Sequence, residues 1–158
     1  MRKKEQENKM KVDYTVLRRS YELYKEEYEE AVLRVMQSGW YILGPEMQSF
    51  EKEFAEYMGA KHCIAVNSGT DALILAFRAL GIGKGDEVIV PAGTYIASVM
   101  GITENGGTPV YVDSDEYLLM DANRIEEQIT EKTKAILPVH LYGQACRMDK
   151  IRELAEKY

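Results

Sequence analysis

The residues best suited to chemistry stand in three short turns. In Val66-Asn67-Ser68-Gly69-Thr70-Asp71-Ala72-Leu73 an apolar run passes through small polar residues straight into a helical pattern. At such a junction the first helical amides lack intrahelical acceptors and the helix dipole is positive. A phosphate could be held there by the Gly69 and Thr70 amides together with the Ser68 or Thr70 hydroxyl, and Gly69 keeps the anion's approach clear of a side chain. The same residues suit a plain helix cap, with Ser68 or Thr70 satisfying its own backbone. The turn matches neither GxxxxGK[ST] nor GxGxxG, so those two kinds of nucleotide loop are not indicated.

The second turn, Val90-Pro91-Ala92-Gly93-Thr94-Tyr95, follows another apolar run and so falls on the edge where open α/β sheets bind ligands. The Tyr95 ring could stack on a planar group in that crevice, or pack as an ordinary helix residue; Pro91 reads as a device that redirects the chain. The third, Pro138-Val139-His140-Leu141-Tyr142-Gly143-Gln144, brings His140 to the same edge. An imidazole titrates near neutrality and could serve as general acid or base, although a lone His at a strand end also serves as a hydrogen-bonding structural residue. His62 precedes an apolar run on the opposite edge. No Ser-His-Asp order, catalytic carboxylate pair or metal-ligand cluster is recognisable, and Glu26-Glu27 with Glu29-Glu30 reads as a solvated helix face.

The elements that must position these turns follow from apolar periodicity. Tyr28, Ala31, Val32, Val35 and Met36 recur at helical steps before Ser38-Gly39. Trp40-Tyr41-Ile42-Leu43 then closes at Gly44-Pro45, and Met47, Phe50, Phe54, Tyr57 and Met58 form the stripe of a second amphipathic helix ending at Gly59. Each of these helices should pack on something larger. From residue 63 the period shortens: Cys63–Val66, Glu87–Val90, Thr108–Val112 and Ala135–Val139 are β-branched runs that predict strands. Helical patterns separate them over Asp71–Leu80, Thr94–Glu104 and Asn123–Thr130, and a last one runs from Met148 to Tyr158. Strand and helix alternating at this spacing predict right-handed crossovers, hence a mostly parallel sheet between two helical layers, a three-layer α/β/α architecture. A sheet of this kind would return into another strand after its last helix, so the sequence reads as an incomplete domain.

Composition narrows the class. The chain has 158 residues, 46% hydrophobic and 29% charged, as in an ordinary globular domain with a core of its own. Its net charge of −6 argues against a general nucleic-acid surface. Two cysteines, Cys63 and Cys146, without metal-ligand spacing, fit a reducing, cytoplasmic setting and neither a disulfide framework nor a zinc site. The charged start MRKKEQENKMK leads into no apolar stretch, so residues 1–20 read as a solvated tail before a domain over 21–158, and no run nears the ~20 apolar residues that span a bilayer.

Together the motifs resemble a known family. Trp40 to Pro45 with Phe50-Glu51-Lys52-Glu53-Phe54-Ala55, Ser68 to Leu73, Gly81-Ile82-Gly83-Lys84-Gly85-Asp86 running on to Pro91, Thr94-Tyr95, and Thr133 to Gln144 are similar, in order, to the N-terminal half of the DegT/DnrJ/EryC1/StrS aminotransferases. The resemblance implies the aspartate aminotransferase fold (PLP fold type I) and pyridoxal 5'-phosphate as cofactor. It also implies a nucleotide-linked keto sugar as substrate, an amino-acid donor such as glutamate or glutamine, and a homodimer. It implies that Ser68, Gly69 and Thr70 hold the cofactor phosphate and that Tyr95 stacks on its ring, while giving His140 and Gln144 no assigned role. The family's Asp for the pyridine nitrogen and its Schiff-base Lys have no counterpart here, since Lys61, Lys84 and Lys134 stand in other contexts, so the chain as given is expected not to transaminate. Gly93 stands where sugar 3-aminotransferases favour Asn, yet Pro91 to Ser98 otherwise resembles that type, which implies a dTDP-linked 3-keto-6-deoxy sugar. Two other readings remain: a non-catalytic fragment that needs a partner chain, and an unrelated phosphate-binding α/β domain.

Overall fold

The computed structural model describes residues 13–158, and the first twelve residues of the expected tail lie outside it. Two compact units divide at Ala65 and Val66.

The first unit is helical. α1 (Leu17–Leu23) and α2 (Lys25–Ser38) meet at Tyr24, whose backbone leaves the helical region, and α3 spans Pro45–Met58. Gly39 and Gly59 end α2 and α3 in the left-handed conformation that favours glycine. Pro45 opens α3, where its missing N–H costs nothing. The Arg34 guanidinium grips Glu46 at 2.6 and 3.1 Å, tying α2 to the first turn of α3. Within this unit the apolar stripes find little cover: α2 buries no residue and α3 only Ala55.

The second unit carries the sheet. β1 (Glu87–Pro91), β2 (Thr108–Val112) and β3 (Thr133–Ile136) lie in the order β2-β1-β3, all parallel. β1 is central, so both its faces must be apolar, and Val88, Ile89 and Val90 are each 0% exposed. Alternation sends Val88 and Val90 to a cluster with Phe77, Ile82 and Ile102, and Ile89 to a second cluster with Val112, Met120, Ile125 and Ile151. The first cluster is covered by α4 (Gly69–Ala79) and α5 (Ile96–Thr103), the second by α6 (Met148–Lys157) and the loop after β2. This is the three-layer arrangement that the crossover spacing predicts. No helix among the described residues is long and apolar enough to cross a membrane.

α4 and α5 pack at close range because Gly101 has no side chain: a Cβ there would lie 2.8 Å from the Leu73 Cβ. Asn105 then clamps the pair, donating from Nδ2 to the carbonyls of Ile74 (2.9 Å) and Gly101 (2.8 Å) while its Oδ1 accepts from Arg78 Nε (3.1 Å). Leu73 faces Gly101 and Arg78 faces Asn105, so the two helices run in the same direction.

Three elements differ from expectation. Cys63–Val66 joins no ladder; the Ala65 amide donates instead to Glu51 Oε1 at 2.7 Å, and Ile64 is 78% exposed. A β-branched run becomes a strand only through a neighbour's backbone, and this run has none here. The helix expected over 123–130 is a single 3₁₀ turn, Glu126–Gln128. Asp121 Oδ1 holds the Asn123 amide before it, and Thr133 Oγ1 holds the Thr130 amide after it, leaving room for one turn. Ile125 and Ile129 still share one apolar cluster, as anchors of a loop rather than a helix face. β3 ends at Ile136 rather than Val139: Leu137 adds one bond to the Ile89 carbonyl, and Pro138 has no N–H to continue.

Candidate cofactor site

Helices that follow parallel strands begin at the carboxyl edge of the sheet, and α4 and α5 run side by side in one direction. Their N-termini, Ser68 to Thr70 and Thr94 to Ile96, therefore stand at the same end of the layer. Ser68 is the N-cap of α4, with extended backbone and its Oγ accepting from the Asp71 amide at 3.1 Å. Its single hydroxyl hydrogen points to Asp71 Oδ2 at 2.9 Å, and Asn67 Nδ2 reaches the same oxygen at 2.7 Å. These bonds, that from Asn67 first and that from Ser68 second, hold the Asp71 carboxyl below its ordinary range.

The Ala72 amide bonds to the Ser68 carbonyl, which closes the first turn. The amides of Gly69 and Thr70 and the Thr70 hydroxyl keep no acceptor or partner among the described residues. A Cβ built on Gly69 would meet nothing within 4 Å. Two free amides at the positive end of an 11-residue helix, facing open space, match the chemistry of a phosphate. Of the two hydroxyls weighed from the sequence, only that of Thr70 still has its hydrogen to offer.

Tyr95 is the N-cap of α5 and is 76% exposed, so its ring is available for stacking and takes no part in the core. His140 follows β3 at the same edge, where its Nδ1 accepts the Cys146 amide at 3.1 Å and Cys146 Sγ donates to the Val139 carbonyl at 3.1 Å. That arrangement is the structural reading of His140: the ring folds its own loop. Gln144 is exposed beyond it. His62 stands in the first unit, beside Glu56 and Cys63 along a shallow groove. Sequence reasoning missed Asn67 and Asp71 as the residues that fix Ser68. The pattern Ser68-x-x-Asp71, a capping-box spacing, was the signal.

A family model for the DegT/DnrJ/EryC1/StrS aminotransferase family matches residues 22–158. The chain belongs to that family. Among its relatives, the DegT/DnrJ/EryC1/StrS chain is 55% identical over 136 residues to a dTDP-3-amino-3,6-dideoxy-alpha-D-galactopyranose transaminase from Aneurinibacillus thermoaerophilus, covering 85% of this chain and 38% of that one. It is 49% identical over 149 residues to a dTDP-3-amino-3,4,6-trideoxy-alpha-D-glucose transaminase from Streptomyces venezuelae, covering 94% and 39%. Solved structures agree: S. venezuelae DesV superposes with a TM-score of 0.86 at 50% identity over 92% of this chain and 40% of that one. Bacillus subtilis NtdA, solved with its cofactor PMP, superposes at 0.85 with 38% identity over 97% and 36%. The chain thus spans about two fifths of the length of these DegT/DnrJ/EryC1/StrS relatives.

Proposed function

We propose that this chain is the cofactor-phosphate and ring-stacking part of a pyridoxal 5'-phosphate-dependent aminotransferase that acts on a nucleotide-linked keto sugar. The observation that carries the reading is the placement of two unpartnered amides, Gly69 and Thr70, and the exposed Tyr95 ring at one end of a helix pair. Open space at Gly69 fits the phosphate. The cofactor, when bound, supplies an electron-withdrawing ring that stabilises negative charge on the carbon from which nitrogen is transferred.

The residues of this chain would bind and orient. Gly69 and Thr70 donate their amides, and Thr70 its hydroxyl, to the phosphate oxygens. Ser68, capped onto Asp71, holds the turn in the conformation that leaves those amides free. Tyr95 covers one face of the ring and keeps water from it. The groups that would anchor the ring covalently and protonate its nitrogen have no counterpart in this sequence, so the chain alone binds without transaminating. A dTDP-linked 3-keto-6-deoxy sugar is the favoured substrate, a reading supported by the two relatives above, both transaminases of dTDP-linked 3-amino sugars. An amino acid is the donor. We place the complete enzyme in the cytoplasm as a homodimer, with the uncovered stripes of α2 and α3 as candidates for burial between subunits.

The test is a titration of the ¹⁵N-labelled chain with pyridoxamine 5'-phosphate. Saturable shifts of the Gly69 and Thr70 amides are expected, and Thr70→Val should weaken binding about fivefold or more by deleting one donor to a charged acceptor. Shifts that bypass residues 68–70, or a Thr70→Val chain that binds as the parent does, would refute the site.

A further inference from the structure

We infer that the Thr94–Ser98 hydroxyl pair aims the Tyr95 ring, making Thr94 and Ser98 positioning residues for a planar, phosphorylated ligand. The inference rests on the reading of Tyr95 as a stacking residue. It starts from a local rule that is broken: the N-cap of α5 is a tyrosine with no side-chain cap bond, at a position that favours Ser, Thr, Asp or Asn. The hydroxyls that flank the cap pair with each other instead of with helix amides. Thr94 Oγ1 and Ser98 Oγ lie 2.8 Å apart, bridging the residue before the cap and the third residue of the helix. Ser98 is 7% exposed and is the one buried polar side chain among the described residues, so its hydroxyl depends on Thr94 for a partner.

The bridge straddles Tyr95 and is joined by the Ser98 amide, which bonds to the Tyr95 carbonyl at 3.0 Å. On the upstream side the loop is pinned to β2: the Ala92 amide donates to the Val112 carbonyl at 2.8 Å, and a Cβ on Gly93 would approach Ser114 Oγ to 3.0 Å. The backbone that sets the Cα–Cβ direction of Tyr95 is thus held from both sides while its ring touches solvent. With the hydroxyls on either side bonded to each other, the cap position itself carries an aromatic ring with no capping role. A Cα–Cβ bond already directed at the ligand leaves only the side-chain torsions to be ordered on binding, which lowers the cost of stacking.

The experiment uses the full 158-residue chain and two probes, inorganic phosphate and pyridoxamine 5'-phosphate. Inorganic phosphate reads the turn at Gly69 and Thr70 alone; pyridoxamine 5'-phosphate also reads the ring through ring-current shifts of the Tyr95 aromatic protons. Thr94→Val keeps the shape and removes the hydroxyl. It should leave the inorganic phosphate dissociation constant unchanged, weaken pyridoxamine 5'-phosphate about fivefold, and abolish the ring-current shift. Thr94→Ser, which restores the hydroxyl, should recover both. Ser98→Ala breaks the bridge from the buried side and must show the same split, so the outcome does not hang on one variant's folding. An unchanged ring-current shift and affinity in Thr94→Val, or equal weakening of both probes, would overturn the inference. If the parent chain shows no shifts at Gly69 and Thr70 with either probe, the site reading itself fails and takes this one with it.

Discussion

Two demands meet on one hydroxyl at Ser68. It accepts the Asp71 amide and gives its hydrogen to the Asp71 carboxylate, so it serves the turn and leaves the ligand to its neighbours. The arrangement depends on the charge of Asp71. That carboxyl is held below its ordinary value of 3.8 in the folded chain, so its contribution to stability is full above the unfolded value and is lost as pH falls through the lower folded one. Carboxyl carbon shifts followed by NMR should show Asp71 titrating below 3.8. Asp71→Asn should remove the acid-side loss of amide protection in the first turn of α4, and an unaltered pH profile in that variant would count against the Ser68–Asp71 link. The turn was legible from its small polar residues and the Ser-x-x-Asp spacing. Which hydroxyl keeps a free hydrogen was not, because that depends on where the Asp71 side chain points.

Among the elements, the α4–α5 pair fixes the spacing between the phosphate turn and the aromatic ring. Gly101→Ala would drive a Cβ to 2.8 Å from that of Leu73 and 3.3 Å from its backbone carbon. Such overpacking should cost about 1–3 kcal/mol in urea denaturation and displace the two helix starts relative to each other. The phosphate affinity of Gly69 and Thr70 should survive, because each start is locally built, while the gain from the ring should shrink. The strand runs at 87 and 108, and the one read from 135 that the sheet begins at 133, were readable because a buried parallel sheet demands continuous β-branched residues. The run at 63–66 carries the same composition without a ladder, since composition names a strand but does not supply its neighbour. Likewise Ile125 and Ile129 sit four apart for a helical reason or a loop reason, and only the Asp121 and Thr130 turns decide between them. The sequence reading starts α5 at Thr94, two residues too early, because tyrosine is not a capping residue and nothing at position 95 announces the cap.

At the scale of the whole molecule, the chain divides into two compact units. The second unit holds both apolar clusters, and every residue of each falls between Phe77 and Leu154. A chain beginning at Val66 should therefore keep the sheet, with dispersed methyl signals for Val88, Ile89 and Val90. Collapse of that dispersion would mean that the helical unit is needed to complete the fold. The three-layer plan was visible from alternation alone, because crossover length and handedness leave few alternatives. The uncovered helical stripes were not, since amphipathicity says that a face wants a partner without saying where the partner comes from.

The central position of β1 also bears on how the chain is made. Both of its partners follow it in the sequence, so the Val88-Ile89-Val90 segment leaves the ribosome with neither side covered. At roughly 5–20 residues per second, the stretch from Pro91 to the end of β3 takes a few seconds to deliver, far longer than collapse or hairpin formation. For that interval an apolar segment that the folded chain buries completely has an open edge, and chaperone demand during synthesis should depend on how quickly β3 arrives.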